Sequence, residues 1–185
     1  MRGLIPAILV LFCLVAGCGQ ANLAVLNDVN LFAPKWQEIS QQYAFVKRNV
    51  GMALPLYQEH LDIMEPKIQK ASSRRKPELI GLRNRYQEMM REAEELKVTY
   101  GTEYETLKKT VIIFNDWQTR LMKNKLSDAE AETDFATFKV KYREIREKAT
   151  ALQSSLIKNV ETHNSLIEAM ADLVGDYQSY KIEVR

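Results

Sequence analysis

Apolar residues recur along this chain at alternating steps of three and four, the spacing that lays one stripe along a helix. The clearest run joins Phe135, Phe138, Tyr142, Ile145, Ala149, Leu152 and Leu156, then Asn159, His163, Leu166, Met170, Leu173, Tyr177 and Tyr180. Val160, Ile167 and Val174 flank this seam and widen it, as expected of a helix that touches two neighbours. Ser127 is placed to cap the start, with Asp128 and Glu130 in the first turn, where negative charge suits the helix dipole. The pattern predicts one helix over about 128–182, roughly 80 Å long at 1.5 Å per residue.

A second seam runs through Leu79, Leu82, Tyr86, Met89, Ala93, Leu96 and Tyr100, then through Tyr104, Leu107, Val111, Phe114, Gln118 and Leu121. Its two successive steps of four, from Leu96 to Tyr100 to Tyr104, make a stutter around Gly101. The expectation is one helix with a local unwinding; a restart at a Thr102/Glu105 capping box is the alternative. Pro77 suits the first turn of this helix. The first seam, Trp36, Ile39, Tyr43, Val46, Val50, then Leu54, Tyr57, Leu61, Met64 and Ile68, follows Pro34 and shifts beside Gly51. Pro55 and Pro66 share the face turned away from that seam, where they bend a helix without emptying its core side. A full break near Gly51 is the competing reading.

Polar turns at 72–76 and 123–125 separate the three segments, so their natural packing is antiparallel. The predicted fold is all-α: an elongated, up-down-up three-helix bundle with coiled-coil-like packing and helices over about 34–73, 77–124 and 128–182. Composition agrees, because Glu, Lys, Arg, Gln, Leu, Ala and Met are plentiful and no Asn-Gly or Asp-Gly turn separates alternating apolar runs. Arg74-Arg75-Lys76 reads as a solvated turn, and with a net charge of only +2 nothing marks a nucleic-acid surface.

The N-terminus follows a different rule. Arg2 precedes an apolar run from Leu4 to Val15, and Val15-Ala16-Gly17-Cys18 closes it with two small residues before a cysteine. This segment resembles a bacterial lipoprotein signal ending in a lipobox. The run is interrupted at Gly17 and is shorter than the ~20 apolar residues that span a bilayer. The resemblance implies a signal peptide over 1–17 and covalent lipid on Cys18: a diacylglycerol on its sulfur and often an acyl chain such as palmitate on its amino group. It further implies a tether over 18–30 and a helical body over 31–185. Two or three acyl chains, at about 0.8 kcal/mol per buried methylene, anchor a protein stably. Gly19 does not match the Asp that typically retains such proteins at the inner membrane of enteric bacteria. The periplasmic face of the outer membrane is therefore favoured in a Gram-negative cell, and the outer face of the cytoplasmic membrane otherwise. Cys13 and Cys18 are the chain's two cysteines, so the mature body has no thiol for a disulfide and depends on its apolar core.

Little else points to chemistry. With turns near residues 75 and 126, His60 falls level with about residue 91, and residue 91 with about residue 161, so His60 and His163 occupy neighbouring layers. Met64, Met89 and Asn159 belong to the same level. One reading is a polar layer that fixes helix register; the other is a copper or haem site, with His60, His163, Met64 and Met89 as candidate ligands. The usual di-iron carboxylate motif is excluded, because the positions three before each histidine are Tyr57 and Val160. No Gly-x-Ser-x-Gly elbow, phosphate-binding glycine loop or His-Glu-x-x-His pair occurs, which favours a non-enzyme. Trp36 and Trp117 fall toward the tether end and are candidate contacts for lipid headgroups or a partner, although core packing is the commoner fate of such residues. The expected function is a lipid-anchored envelope scaffold or adaptor, with no cofactor beyond the lipid, binding the membrane through its anchor and an envelope protein or a second copy of itself. The alternatives are a copper or haem carrier and a bundle that opens onto lipid.

Overall fold

A proline without an N–H, at position 34, separates the first two helices of the structure. The computed structural model describes residues 23–184; the signal-like segment, Cys18 and the first part of the expected tether lie outside them. Helix α1 spans Leu23–Phe32, and α2 begins at Lys35 directly after Pro34. Pro34 cannot donate to the carbonyl one turn back, so the chain bends there and continues. The expected tether is thus helical from Leu23 onward. Val29 is fully buried and Phe32 nearly so, which docks α1 onto the bundle instead of leaving it as a free link.

Three long helices follow: α2 over Lys35–Gln69, α3 over Lys76–Met122 and α4 over Asp128–Ala169. Trp36 meets Phe114 and Tyr142 at one end, and Tyr57 meets Tyr86 and His163 farther along. Helices α2 and α4 therefore run parallel with α3 antiparallel between them, the predicted up-down-up bundle. All regular secondary structure among the described residues is helical, and no described helix is long and apolar enough to cross a membrane.

Both glycine positions that threatened the helices are passed without a break: α2 continues through Gly51 and α3 through Gly101. At the stutter, the rings of Tyr100 and Tyr104 stack at 5.6 Å, and both lie about 6 Å from the buried Tyr43 ring. Two consecutive steps of four thus deliver two aromatics to one neighbour. Pro55 and Pro66 sit inside α2 on its exposed side. Asn124, at φ 50°, ends α3, and the Lys125 N–H reaches back to the Arg120 carbonyl.

The start of α4 is closed by a reciprocal cap. The Glu130 N–H donates to Ser127 Oγ at 3.3 Å, and the Ser127 N–H donates to the Glu130 carboxylate at 2.8 Å. Ser127→Ala should lower stability by about 1 kcal/mol; a shift in urea midpoint with unchanged slope is the readout, and an unchanged midpoint would show that this cap is dispensable.

The other end of α4 departs from expectation. The helix predicted to reach about residue 182 stops at Ala169, and a short helix, α5, over Ala171–Val174 leads to Gly175 at φ +79°. The chain then reverses into a 3-10 turn over Tyr177–Tyr180 and an extended stretch over 181–184 that lies back along α4. The reason is the length of its neighbours. Helix α2 ends at Gln69 and α3 starts at Lys76, so Ile68, Leu79 and Met170 are buried near the last layer. A straight helix would carry Leu173, Tyr177 and Tyr180 past the end of the bundle with nothing to pack against. Folding back half-buries Tyr177, Tyr180 and Ile182 instead. Lys67 Nζ, in the last turn of α2, donates to the Leu173 carbonyl at 2.8 Å and Arg75 of the distal turn pairs with Asp172 at 2.8 Å, so both cations hold α5 to the end of the bundle.

Candidate functional site

At the level of His60 and His163 the core changes from apolar to hydrogen-bonded. His60 on α2 and His163 on α4 stack with ring centroids 5.2 Å apart. The Tyr57 ring lies 4.6 Å from the His163 ring, and Tyr86 of α3 closes the group at 5.5 Å from it. His163 is fully buried and His60 nearly so.

The hydrogen bonds define the protonation pattern. The Tyr180 carbonyl, 3.0 Å from His163 Nε2, can only accept, so Nε2 carries the proton. Nδ1 is then the acceptor for the Tyr86 hydroxyl at 3.0 Å, the nearer of that hydroxyl's two acceptors, the other being the Tyr57 carbonyl at 3.3 Å. Beside this relay runs a second one: the Tyr57 hydroxyl donates to Asn159 Oδ1 at 3.0 Å, and Asn159 Nδ2 donates to the Met89 main-chain carbonyl at 2.8 Å. The two relays tie all three long helices and the C-terminal turn at one height.

Burial favours the uncharged form of every ring here. It pushes His163 down to about 4, against a smaller upward pull from the Tyr180 carbonyl. His60 is lowered for the same reason, with Glu59 opposing. The hydroxyls of Tyr57 and Tyr86 are pushed well above their ordinary range, again by burial. The level is therefore a neutral network near pH 7.

Both nitrogens of His163 are committed to protein partners, so a metal at this ring would have to displace the Tyr86 hydroxyl or the Tyr180 carbonyl. His60 Nδ1 is buried without a partner, one nitrogen rather than a ligand set. Met64 and Met89 are buried. Among the described residues no three His, Cys, Asp or Glu side chains gather to hold an ion. The arrangement fits a register-setting layer better than a metal or haem pocket.

The chain matches no family model, no curated protein and no solved structure.

Both tryptophans named as contact candidates are buried, each 4% exposed, so neither is presented to lipid or partner in this structure. Trp36 meets Phe32, Phe114 and Tyr142, while Trp117 stacks on Phe135 at 6.0 Å and meets Phe138. Trp117 takes the seam position expected of Gln118, because an indole fills the aromatic layer between α3 and α4 and an amide does not. Cys18 lies outside the described residues. Sequence reasoning missed the hydroxyls of Tyr57 and Tyr86, which it treated as apolar seam positions, and missed Asn164 altogether. The first two carried a signal, since a tyrosine placed level with a core histidine is a ready partner for it. Asn164 carried none, because its partner, Ile182, is 18 residues away within the stretch over which α4 was expected to stay straight.

Proposed function

We propose that this chain is a lipid-anchored scaffold or adaptor of the bacterial cell envelope, non-catalytic and held to the membrane through Cys18. The lipobox-like Val15-Ala16-Gly17-Cys18 supports the address. The body supports the role: its seams are spent on filling the space between long helices, and the polar groups of His163, Tyr57, Tyr86 and Asn159 bond to one another and to main-chain carbonyls. The observation that carries most weight is that both ring nitrogens of His163 are engaged by protein groups, which favours a structural use of this level over ligand binding. The concavities on the surface include an open groove between α2 and α3 beside Leu54, Met90, Val98 and Gly101, a shape suited to shallow protein contact. Exposed Val98 and Ile112 add apolar area on α3.

Cys18→Ser should move the protein from the membrane pellet to the soluble fraction of the envelope. Photo-crosslinking in intact cells, with the probe at Val98 or Ile112, should trap a second polypeptide. Recovery only as an uncrosslinked monomer from every position would overturn the scaffold role, and a Cys18→Ser protein that still pellets would overturn the anchor.

A further inference from the structure

The two histidines of the polar level are covered on one side by the C-terminal segment and not by a long helix. His60 lies between the His163 ring, stacked at 5.2 Å, and the Tyr180 ring, edge-on at 4.8 Å. Its Nδ1 is buried without a partner. In a charged imidazole both nitrogens carry hydrogens, and the one on His60 Nδ1 would have no acceptor. On His163 the added hydrogen falls on Nδ1 and faces the Tyr86 hydroxyl, whose own proton must then turn to the Tyr57 carbonyl at 3.3 Å. Charge on either ring therefore calls for water.

The segment is the part that can yield. Before Gly175, α5 is fixed by Lys67 on the Leu173 carbonyl and by the Arg75–Asp172 pair, each at 2.8 Å. After Gly175, at φ +79°, the attachments are His163 Nε2–H on the Tyr180 carbonyl at 3.0 Å, the two bonds of Asn164 to the Ile182 main chain at 2.9 Å and the Lys181–Glu168 pair at 3.3 Å. Tyr177, Tyr180 and Ile182 are only half-buried, whereas Tyr57, Leu166 and Ile167 of the helices are buried. Short segments with few buried contacts open most readily. Ile182 packs against both apolar clusters of the core, the one around Trp36 and the one around Tyr57, so its departure bares surface on each.

We propose that residues 176–184 form a latch that acid releases: proton uptake by His60 and His163 detaches the segment from α2 and α4 while the three long helices stay packed. The groups facing the two rings set the direction. From α2, Glu59 favours a proton on His60 and the Tyr57 hydroxyl is neutral; α3 contributes the neutral Tyr86 hydroxyl, α4 His163 itself, and the segment the Tyr180 ring and carbonyl. Burial holds both histidines below their ordinary 6.5 in the closed form, and water restores that value once the segment leaves. The open form thus binds more protons, so closure is favoured above about 6.5 and weakens as pH falls below it. With His163 held at about 4 when closed, that ring alone raises the ratio of open to closed about 20-fold between pH 7 and pH 5. Opening requires neither the anchor at Cys18 nor a partner, so purified protein tests it.

Amide hydrogen exchange of the full-length chain, followed by NMR at pH 7 and pH 5 and corrected for the intrinsic rate at each, reads the latch at the Ile182 N–H, which Asn164 Oδ1 accepts. Its protection should fall about 20-fold or more. It should also stay well below that of the α3 amides over 86–93 at both pH values and be unmoved by urea short of the unfolding transition. His163→Gln keeps a donor for the Tyr180 carbonyl and an acceptor for Tyr86, and His60→Phe keeps a flat ring beside Tyr180. Together they should leave Ile182 equally protected at pH 7 and pH 5, and His163→Gln alone should shrink the fall at least about threefold. Glu168 and Asp172 also hold this end, so a fall that persists undiminished in both variants assigns the release to carboxylates and overturns the proposal. Equal protection at the two pH values in the parent chain overturns it as well. So does an Ile182 protection equal to that of α3, because the segment then opens only with the whole bundle.

Discussion

Acidification from pH 7 to pH 5 should cost the folded protein about 2 kcal/mol, and continuing to pH 4 should bring the loss to about 3 kcal/mol. The cause is His163. In the unfolded chain its imidazole takes a proton near the ordinary value of 6.5, whereas burial in the fold lowers that to about 4. Between those two values the unfolded state binds more protons than the folded one, so stability falls with pH. The contribution is nearly complete above about 6.5, is lost as pH drops through the window and levels off below the folded value of about 4. His60 is lowered by the same burial and acts in the same direction. The Tyr57 and Tyr86 hydroxyls beside His163 are pushed above their ordinary range by burial and stay protonated throughout. Urea midpoints at pH 7, 5 and 4 measure the effect, and His163→Gln should flatten the profile. Equal midpoints at pH 7 and 5 in the parent protein would mean that the ring is hydrated or charged in the fold.

Asn159→Leu should destabilise the protein by about 2 kcal/mol, although leucine is the more apolar residue and the position is in the core. Removing the amide leaves the Tyr57 hydroxyl buried without its acceptor and takes from the Met89 carbonyl the donor at 2.8 Å. Tyr57→Phe alone strands Asn159 Oδ1 instead. The double variant should lose less than the sum of the two single ones, because taking away both partners strands neither. Additive losses in that cycle would show that the two side chains do not act as one unit. The more telling outcome concerns uniqueness. If this layer sets register, the double variant should remain helical but lose dispersion among its core methyl resonances, as a bundle free to slide does.

How far the molecule could be read from its sequence depended on the range of the interaction involved. Heptad spacing is local, and it identified the faces of α2, α3 and α4 nearly residue by residue. The expected pairing of His60 with His163 needed only two turn positions and a constant rise per residue, both of which are also local. Trp117 was misplaced because a seam that allows a step of three or four offers two neighbouring residues, and only the partner surface of Phe135 and Phe138 chooses between them. Leu23 to Asn30 looked like part of a tether because α1 is too short to display a seam, yet Val29 is fully buried and the adjoining Phe32 finds four aromatic rings within about 6 Å in the folded bundle.

By itself the sequence determined the all-α class, the order and direction of three long helices, the caps and turns at 123–127, and the height at which polar side chains enter the core. These follow from periodicity and from side chains that bond their own neighbours, for which no distant partner is needed. The tertiary structure decided where α4 stops. The same 3-4 spacing runs through Leu173, Tyr177 and Tyr180, but α2 and α3 end near Ile68 and Leu79, and a seam without a facing surface gains nothing by staying helical. Apolar burial and the hydrogen bonds of His163 and Asn164 return that segment to the bundle, because burial is a property of the partners a stripe meets and not of the stripe itself.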